Sequence, residues 1–393
     1  MKLLTRLFFL LVLLCTGCQS TPQHLTLNNE RPAWLDSPDF AGDVTDVTSA
    51  EDIFVLPAST KQQLRQLSPL HTDVSSRTKA IVGYILKLAD NDLSYENAAT
   101  LTAAQTLETG SANCLSLAIL AYSIANELGL DAVFQDVHIP EYWTSRNNAT
   151  WLNGHINLRI RKGFVPDATT GTILLGSDII VDFDPYTLKK QFPSSIVGKN
   201  RIIAMFFNNK AAEAYAEQNV AKAYYYYQQS VAADPAFPVT WSNLAVLYRQ
   251  QGFESHALQA YQYSLTLSPD SLNTKANLAV LYRSQGLEAK AERLEQQVAM
   301  QRRKNPYYFL MLGDEFLREL EFDDAKKNYL RALRLDQNTH EAYFGLAKVY
   351  FAQQQPDMAS YYLGKAHSNA PSETDKKRYR AKMDVLNQLA RVN

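Results

Sequence analysis

The sequence predicts an α+β domain followed by an all-α solenoid of helical repeats. Three observations predict it. In the C-terminal half, Ala223, Ala257, Ala291, Ala325 and Ala359 recur at a period of 34 residues. Ahead of them, a helical apolar pattern from Leu115 to Leu128 leads into three β-like runs, the order expected of a helix packed on a sheet. The chain also has room for both parts: 393 residues, 46% hydrophobic and 20% charged, suffice for two or three cores.

The first element is a leader. Lys2 and Arg6 flank Leu7–Leu14, "LFFLLVLL", an apolar core of eight residues. That is too short for a bilayer, which takes about 20. It runs into Cys15-Thr16-Gly17-Cys18, and the small pair before Cys18 resembles the lipobox of bacterial lipoproteins, although Cys15 stands where that family usually has Leu. The resemblance implies cleavage before Cys18 and lipid on that residue. Gln19 after it then implies an outer-membrane lipoprotein at the periplasmic face of the bacterial cell envelope. Cleavage without lipid is the alternative, giving a freely soluble exported protein. Loss of residues 1–17 takes two of the 39 basic residues and leaves 37 against 40 acidic ones, a net charge of −3. Such a balance does not suit a nucleic-acid binder. Cys114 becomes the single free thiol of an exported chain, which asks for a reason in an oxidising compartment.

Residues 18–50, rich in Thr, Ser, Asp and Pro, read as a tether. Residues 51–205 form the α+β domain. Ser59-Thr60 is expected to cap a helix over "KQQLRQL", and Ile81, Tyr84, Ile85 and Leu88 mark a second helix. The helix after Cys114 stops at Gly129, and "AVFQDV" (132–137), "HINLRI" (155–160) and "TILLGSDIIVDFD" (172–184) are the β-like runs.

Residues 206–393 are the array. Leu244, Leu278, Leu312 and Leu346 keep the 34-residue period, as do Tyr248, Tyr282, Phe316 and Tyr350, and Gly252 and Gly286 fall in turns. With "WSNLAVLY", "KANLAVLY", "YFLMLGDEF" and "AYFGLAKVY" as first helices, this resembles the tetratricopeptide repeat. Small Ala lets paired helices approach, while Leu and Tyr fill the seam between repeats. The unit at 204–237 lacks the Leu and reads as a cap, and the charged "SETDKKRYRAKMDVLNQLARVN" as a final solvent-facing helix.

Cys114 could be a small buried hydrophobe. Its position points elsewhere. Asn113 or Ser111 is a good helix cap, so Cys114 lies in a first turn, where the macrodipole and unpaired N–H groups favour an anion and could hold an oxyanion. Nucleophilic chemistry further needs a histidine and a group to orient it. His24 lies in the tether and His71 in a turn, while His256, His340 and His367 belong to the repeats, where a polar surface role is expected. His155 opens "HINLRI", with His155, Asn157 and Arg159 on the polar face, and is preferred over His138, which reads as a loop residue before Ile-Pro. Asp182 and Asp184 in "IIVDFDP" are both candidate orienters on one face.

The block "ETGSANCLSLAIL", then "GHINLRI", then "VDFDP" resembles the transglutaminase-like superfamily of papain-type folds over residues 95–190. The resemblance implies Cys114 as nucleophile, His155 as general base and Asp182 as orienter. Asp-Pro in that family would choose Asp184; Asp182 is preferred because it ends the apolar run. The long insert "RKGFVPDATTGTILLGS" and the absence of an aromatic shortly after His155 depart from the family. The activity implied is that of a cysteine acyl-transfer enzyme, a peptidase or amidase ahead of a crosslinking transglutaminase, with the array recruiting a protein or peptide. The alternative is a non-catalytic lipid-anchored scaffold. Beyond the Cys15-Thr16-Gly17-Cys18 run of the leader, no Cys-x-x-Cys or His-x-x-x-His spacing and no Gly-rich phosphate loop occurs, so neither a metal nor a nucleotide cofactor is implied.

Overall fold

The computed structural model describes residues 40–392 apart from 41, 43, 68–72, 75, 80, 82, 84–93, 96–99, 147–148, 162–163, 167–172, 176–177 and 184–191. The leader, Cys18, most of the expected tether and Asp184 lie outside the described residues. The tether's far end is packed: Phe40 is buried and stacks on Tyr224, with ring centroids 4.5 Å apart. No helix among the described residues is long and apolar enough to cross a membrane.

Helix α1 is Ala58–Leu67. It starts ahead of Ser59-Thr60, because the Pro57 carbonyl already accepts the Lys61 N–H and Thr60 is drawn into the core. Short strands β1 (Ser94–Tyr95) and β2 (Ser111–Ala112) pair in parallel beside α2 (Ala103–Thr109), where Thr102 and Gln105 form a reciprocal capping box. Helix α3 is Cys114–Glu127, and Gly129 ends it with φ +68°, a conformation that favours glycine. From Leu115 to Ala125 all of α3 except Tyr122 is buried, so this is a helix enclosed on every side rather than an amphipathic one.

The sheet has the order β7-β4-β3-β8, antiparallel throughout, from β3 (Ala132–Arg146), β4 (Ala149–Ile160), β7 (Ile179–Val181) and β8 (Ser194–Val197). It is the expected helix-on-sheet layer, with Tyr122 of α3 stacked on Phe134 at 4.5 Å. Two strands are much longer than their apolar runs, because β3 and β4 continue into a two-stranded hairpin. His138 therefore lies inside β3 and not in a loop. The run 172–184 is not one strand. Ile173–Leu175 (β6) pairs with Phe164–Pro166 (β5) in a separate hairpin, and Ile179–Val181 joins the main sheet.

The repeat part begins at Lys199 rather than 206. Its helix pairs are α4 (Lys199–Ala216) with α5 (Val220–Ala233), α6 (Pro238–Gln250) with α7 (Glu254–Leu267), and α8 (Leu272–Ser284) with α9 (Glu288–Arg302). Then come α10 (Pro306–Arg318) with α11 (Phe322–Leu335), α12 (His340–Ala352) with α13 (Pro356–Asn369), and a last helix α14 (Glu373–Val392). All five periodic alanines are buried where their helices meet. The turn within each pair has one left-handed residue: Gln218, Gly252, Gly286, Leu320 and Gln354, again spaced by 34. Only two of them are glycine, so three repeats hold a side chain in a strained conformation. Gly313 and Gly345 flank the buried ring of Tyr329, and a Cβ on Gly313 would sit 2.6 Å from Cε1 of that ring. Helix α14 is not wholly solvent-facing. Tyr379 is buried against Phe344, and its hydroxyl lies 2.7 Å from Nδ1 of His340, which is buried rather than at the surface.

Candidate active site

Cys114 is the first residue of α3, and Asn113 caps that helix. Asn113 Oδ1 accepts from the Ser116 N–H at 2.8 Å and from the Ser116 hydroxyl at 3.0 Å, while its Nδ2 donates to Thr100 Oγ1 at 3.1 Å. A cap bonded on both sides fixes the first turn, and with it the sulfur. The Cys114 thiol donates to the Gly154 carbonyl at 3.7 Å and is half-buried.

Gly154 precedes His155 on β4, so the strand that places the carbonyl also places the imidazole. Nε2 of His155 lies 2.9 Å from both oxygens of Asp182, the residue directly after β7. With Nε2 committed to Asp182, Nδ1 is the ring nitrogen left for the Cys114 sulfur, a hydrogen-bond partner of the imidazole. Burial alone would push the imidazole below its ordinary 6.5. The Asp182 carboxylate and the Cys114 sulfur outweigh it and raise the imidazole to about 10. The ring is only 3% exposed, so its proton is held by these partners and not by water.

The structure thus brings together Cys114, His155 and Asp182. His138 is not part of the group: its Nε2 lies 3.1 Å from Ser195 Oγ. Alternation along β4 does separate His155, Asn157 and Arg159 from Ile156, Leu158 and Ile160, but the polar face is closed at its centre. Asn157 is 7% exposed and donates from Nδ2 to Asp182 Oδ2 at 2.9 Å. It is a site residue that sequence reasoning placed on the right face and passed over. The signal was there, because period two puts residue 157 beside residue 155. Arg159, further along, donates to Asp178 at 2.6 Å.

A thiol at a helix start, an imidazole against it and a carboxylate behind the imidazole form the chain needed for nucleophilic attack on a carbonyl. In a chain of this kind a carboxylate can fix the ring, the ring can hold or return a proton, and a helix start favours negative charge.

Residues 313–354 match the family model for the TPR repeat. No curated protein matches the chain. Among solved structures, a thermophilic TPR protein of Thermus thermophilus is similar at 20% identity and a TM-score of 0.28, covering 45% of this chain and 97% of its own. YrrB, described as a TPR protein with an unusual peptide-binding site, is similar at 13% identity and 0.25, covering 45% and 92%. PilW, a type IV pilus biogenesis factor, gives 16% and 0.27, covering 47% and 93%. The repeat assignment rests on the family match and the 34-residue register, not on these likenesses.

Proposed function

We propose that the chain is a protein-binding scaffold built on its tetratricopeptide-type array, taking a protein or peptide as partner. The observation that carries this reading is the register itself: helix pairs repeated every 34 residues, with a match to the TPR repeat over 313–354. Stacked helix pairs of this kind present an extended surface to a partner. A photo-crosslinker at Val280, exposed on a first helix, is expected to capture a partner that one at Met300, exposed on a second helix, does not. Equal capture at both, or none at either, removes the reading. A lipid anchor at Cys18, read from the lipobox-like sequence, would hold this scaffold at the outer membrane on its periplasmic side.

The arrangement behind Cys114 supports a second reading, a thiol acyl-transfer centre of transglutaminase-like type. The Cys114 thiolate attacks an amide carbonyl to form a thioester, and the amine leaves with a proton from His155, which Asp182 holds in place. Water then releases the acid, or a second amine takes the acyl group. Hydrolysis is preferred. Amine release from peptide amides is expected to vanish in Cys114→Ser and to fall by orders of magnitude in His155→Ala. Turnover that persists unchanged in Cys114→Ser leaves only the scaffold.

A further inference from the structure

The far half of the β3–β4 hairpin leaves its own sheet for the repeat array. Strand β8 pairs only with Phe134–Val137 and β7 only with Leu158–Ile160, whereas the rungs from Tyr142↔Asn153 to Arg146↔Ala149 lie beyond both. There the hairpin meets the end of α9 and the start of α10. Nε and Nη2 of Arg302 donate to the two oxygens of Glu141 at 2.8 and 2.9 Å, with side chains only 11% and 19% exposed. The guanidinium also lies over the Trp143 ring, 5.0 Å from its centroid. Asn305 donates to the Glu141 carbonyl at 2.7 Å while capping α10 through Tyr307 N–H. Tyr142 meets Tyr307 edge-on at 5.1 Å, and Trp143 joins the buried repeat cluster of Tyr307, Phe309 and Leu310.

This attachment falls beside the thiol. Val137 pairs with His155 and Tyr142 with Asn153, so residues 138–141 bulge against the single residue Gly154. Gly154 is the residue whose carbonyl accepts the hydrogen bond from the Cys114 thiol. The Glu141–Arg302 pair closes the end of that bulge, and the buried aromatic contacts prevent the hairpin from sliding. The register of Gly154 and His155 against Cys114 is therefore set from two sides, by the sheet and by the array.

We propose that Glu141 and Arg302 are positioning residues: by gripping the hairpin, the repeat array holds Gly154 and His155 in the register that makes Cys114 reactive. The inference rests on the thiol-centre reading, and one experiment separates the two. Iodoacetamide labelling of Cys114 in the full chain is timed at pH 6 for wild type, Glu141→Gln, Arg302→Ala, Arg302→Lys and the exchange Glu141→Arg/Arg302→Glu. Both Glu141→Gln and Arg302→Ala are expected to slow labelling at least threefold, Arg302→Lys less, and the exchange to recover more than half of the loss. Amide exchange is expected to rise in 142–153 in the single variants. Single variants that label at the wild-type rate overturn the proposal, whatever the amide exchange shows. A loss that neither lysine nor the exchange restores overturns it too. Glu141→Gln keeps the side-chain volume and guards against unfolding as the cause. The variant-to-wild-type ratio reads the grip, while the absolute wild-type rate reads the thiol centre itself.

Discussion

Replacing His155 by alanine is the sharpest test of the site, and its size follows from the geometry. An ordinary thiol, with a pKa of about 8.5, is only about 0.3% ionised at pH 6. Complete ionisation at that pH would speed alkylation about 300-fold. A thiolate held in an ion pair gives much of this back, because nucleophilicity falls with basicity, with a coefficient of about 0.4–0.5. A net advantage of roughly tenfold remains. In the structure the cation is His155, held protonated up to about 10 by Asp182 and Cys114 against the opposing effect of burial. The assay is iodoacetamide labelling at pH 6 under native conditions, with the modified cysteine located by peptide mass. On the thiol-centre reading, wild type is expected to label Cys114 faster than the same chain in denaturant, by up to about tenfold, and His155→Ala to lose that advantage. Asp182→Asn is expected to fall between them. If wild-type Cys114 labels no faster than an ordinary thiol, and His155→Ala changes nothing, the ion-pair reasoning fails.

Three further outcomes concern features away from the sulfur. The folded His155 value of about 10 lies above its ordinary 6.5, so its contribution to stability is complete below about pH 6.5 and is lost as pH rises through 10. Thermal melts are expected to show this decline in wild type and not in His155→Ala; parallel curves would show that the pair does not titrate with folding. Leu320→Gly, at an exposed left-handed position with φ 63°, is expected to stabilise by about 1 kcal/mol in denaturant melts, and a lower midpoint would contradict the strain assigned there. Gly313→Ala drives a methyl into the ring of Tyr329 and is expected to cost about 1–3 kcal/mol, whereas Gly364→Ala, also inside a helix but with nothing within 4 Å of the added carbon, is expected to stabilise by about 0.5–1 kcal/mol.

The array was legible because its code is periodic. Each Ala at a helix crossing must be small, and that requirement returns every 34 residues whatever surrounds it. The left-handed turns were legible only at Gly252 and Gly286. Gln218, Leu320 and Gln354 meet the same backbone demand with side chains that give no sign of it. Asn113, Cys114 and Gly129 marked the whole of α3, because cap and stop are local chemistry. Asp182 and Asp184 tied under alternation, and the end of β7 at Val181 puts Asp182 against His155, with Asp184 outside the described residues. The hairpin grip was out of reach. Ile139-Pro140 reads as the end of a strand, and the partner that carries Glu141 onward, Arg302, is 161 residues away.

Helix α4 belongs to both parts of the molecule. Arg201 donates to Asp234 and to the Ala236 carbonyl, and the Ala204 carbonyl accepts from Ser230, all on the repeat side. Lys199 lies over Phe54, and Asn209 donates to Thr100, the residue that also holds the cap of the cysteine helix. A cut near residue 205 would therefore sever a shared girder, and neither fragment would inherit an intact edge.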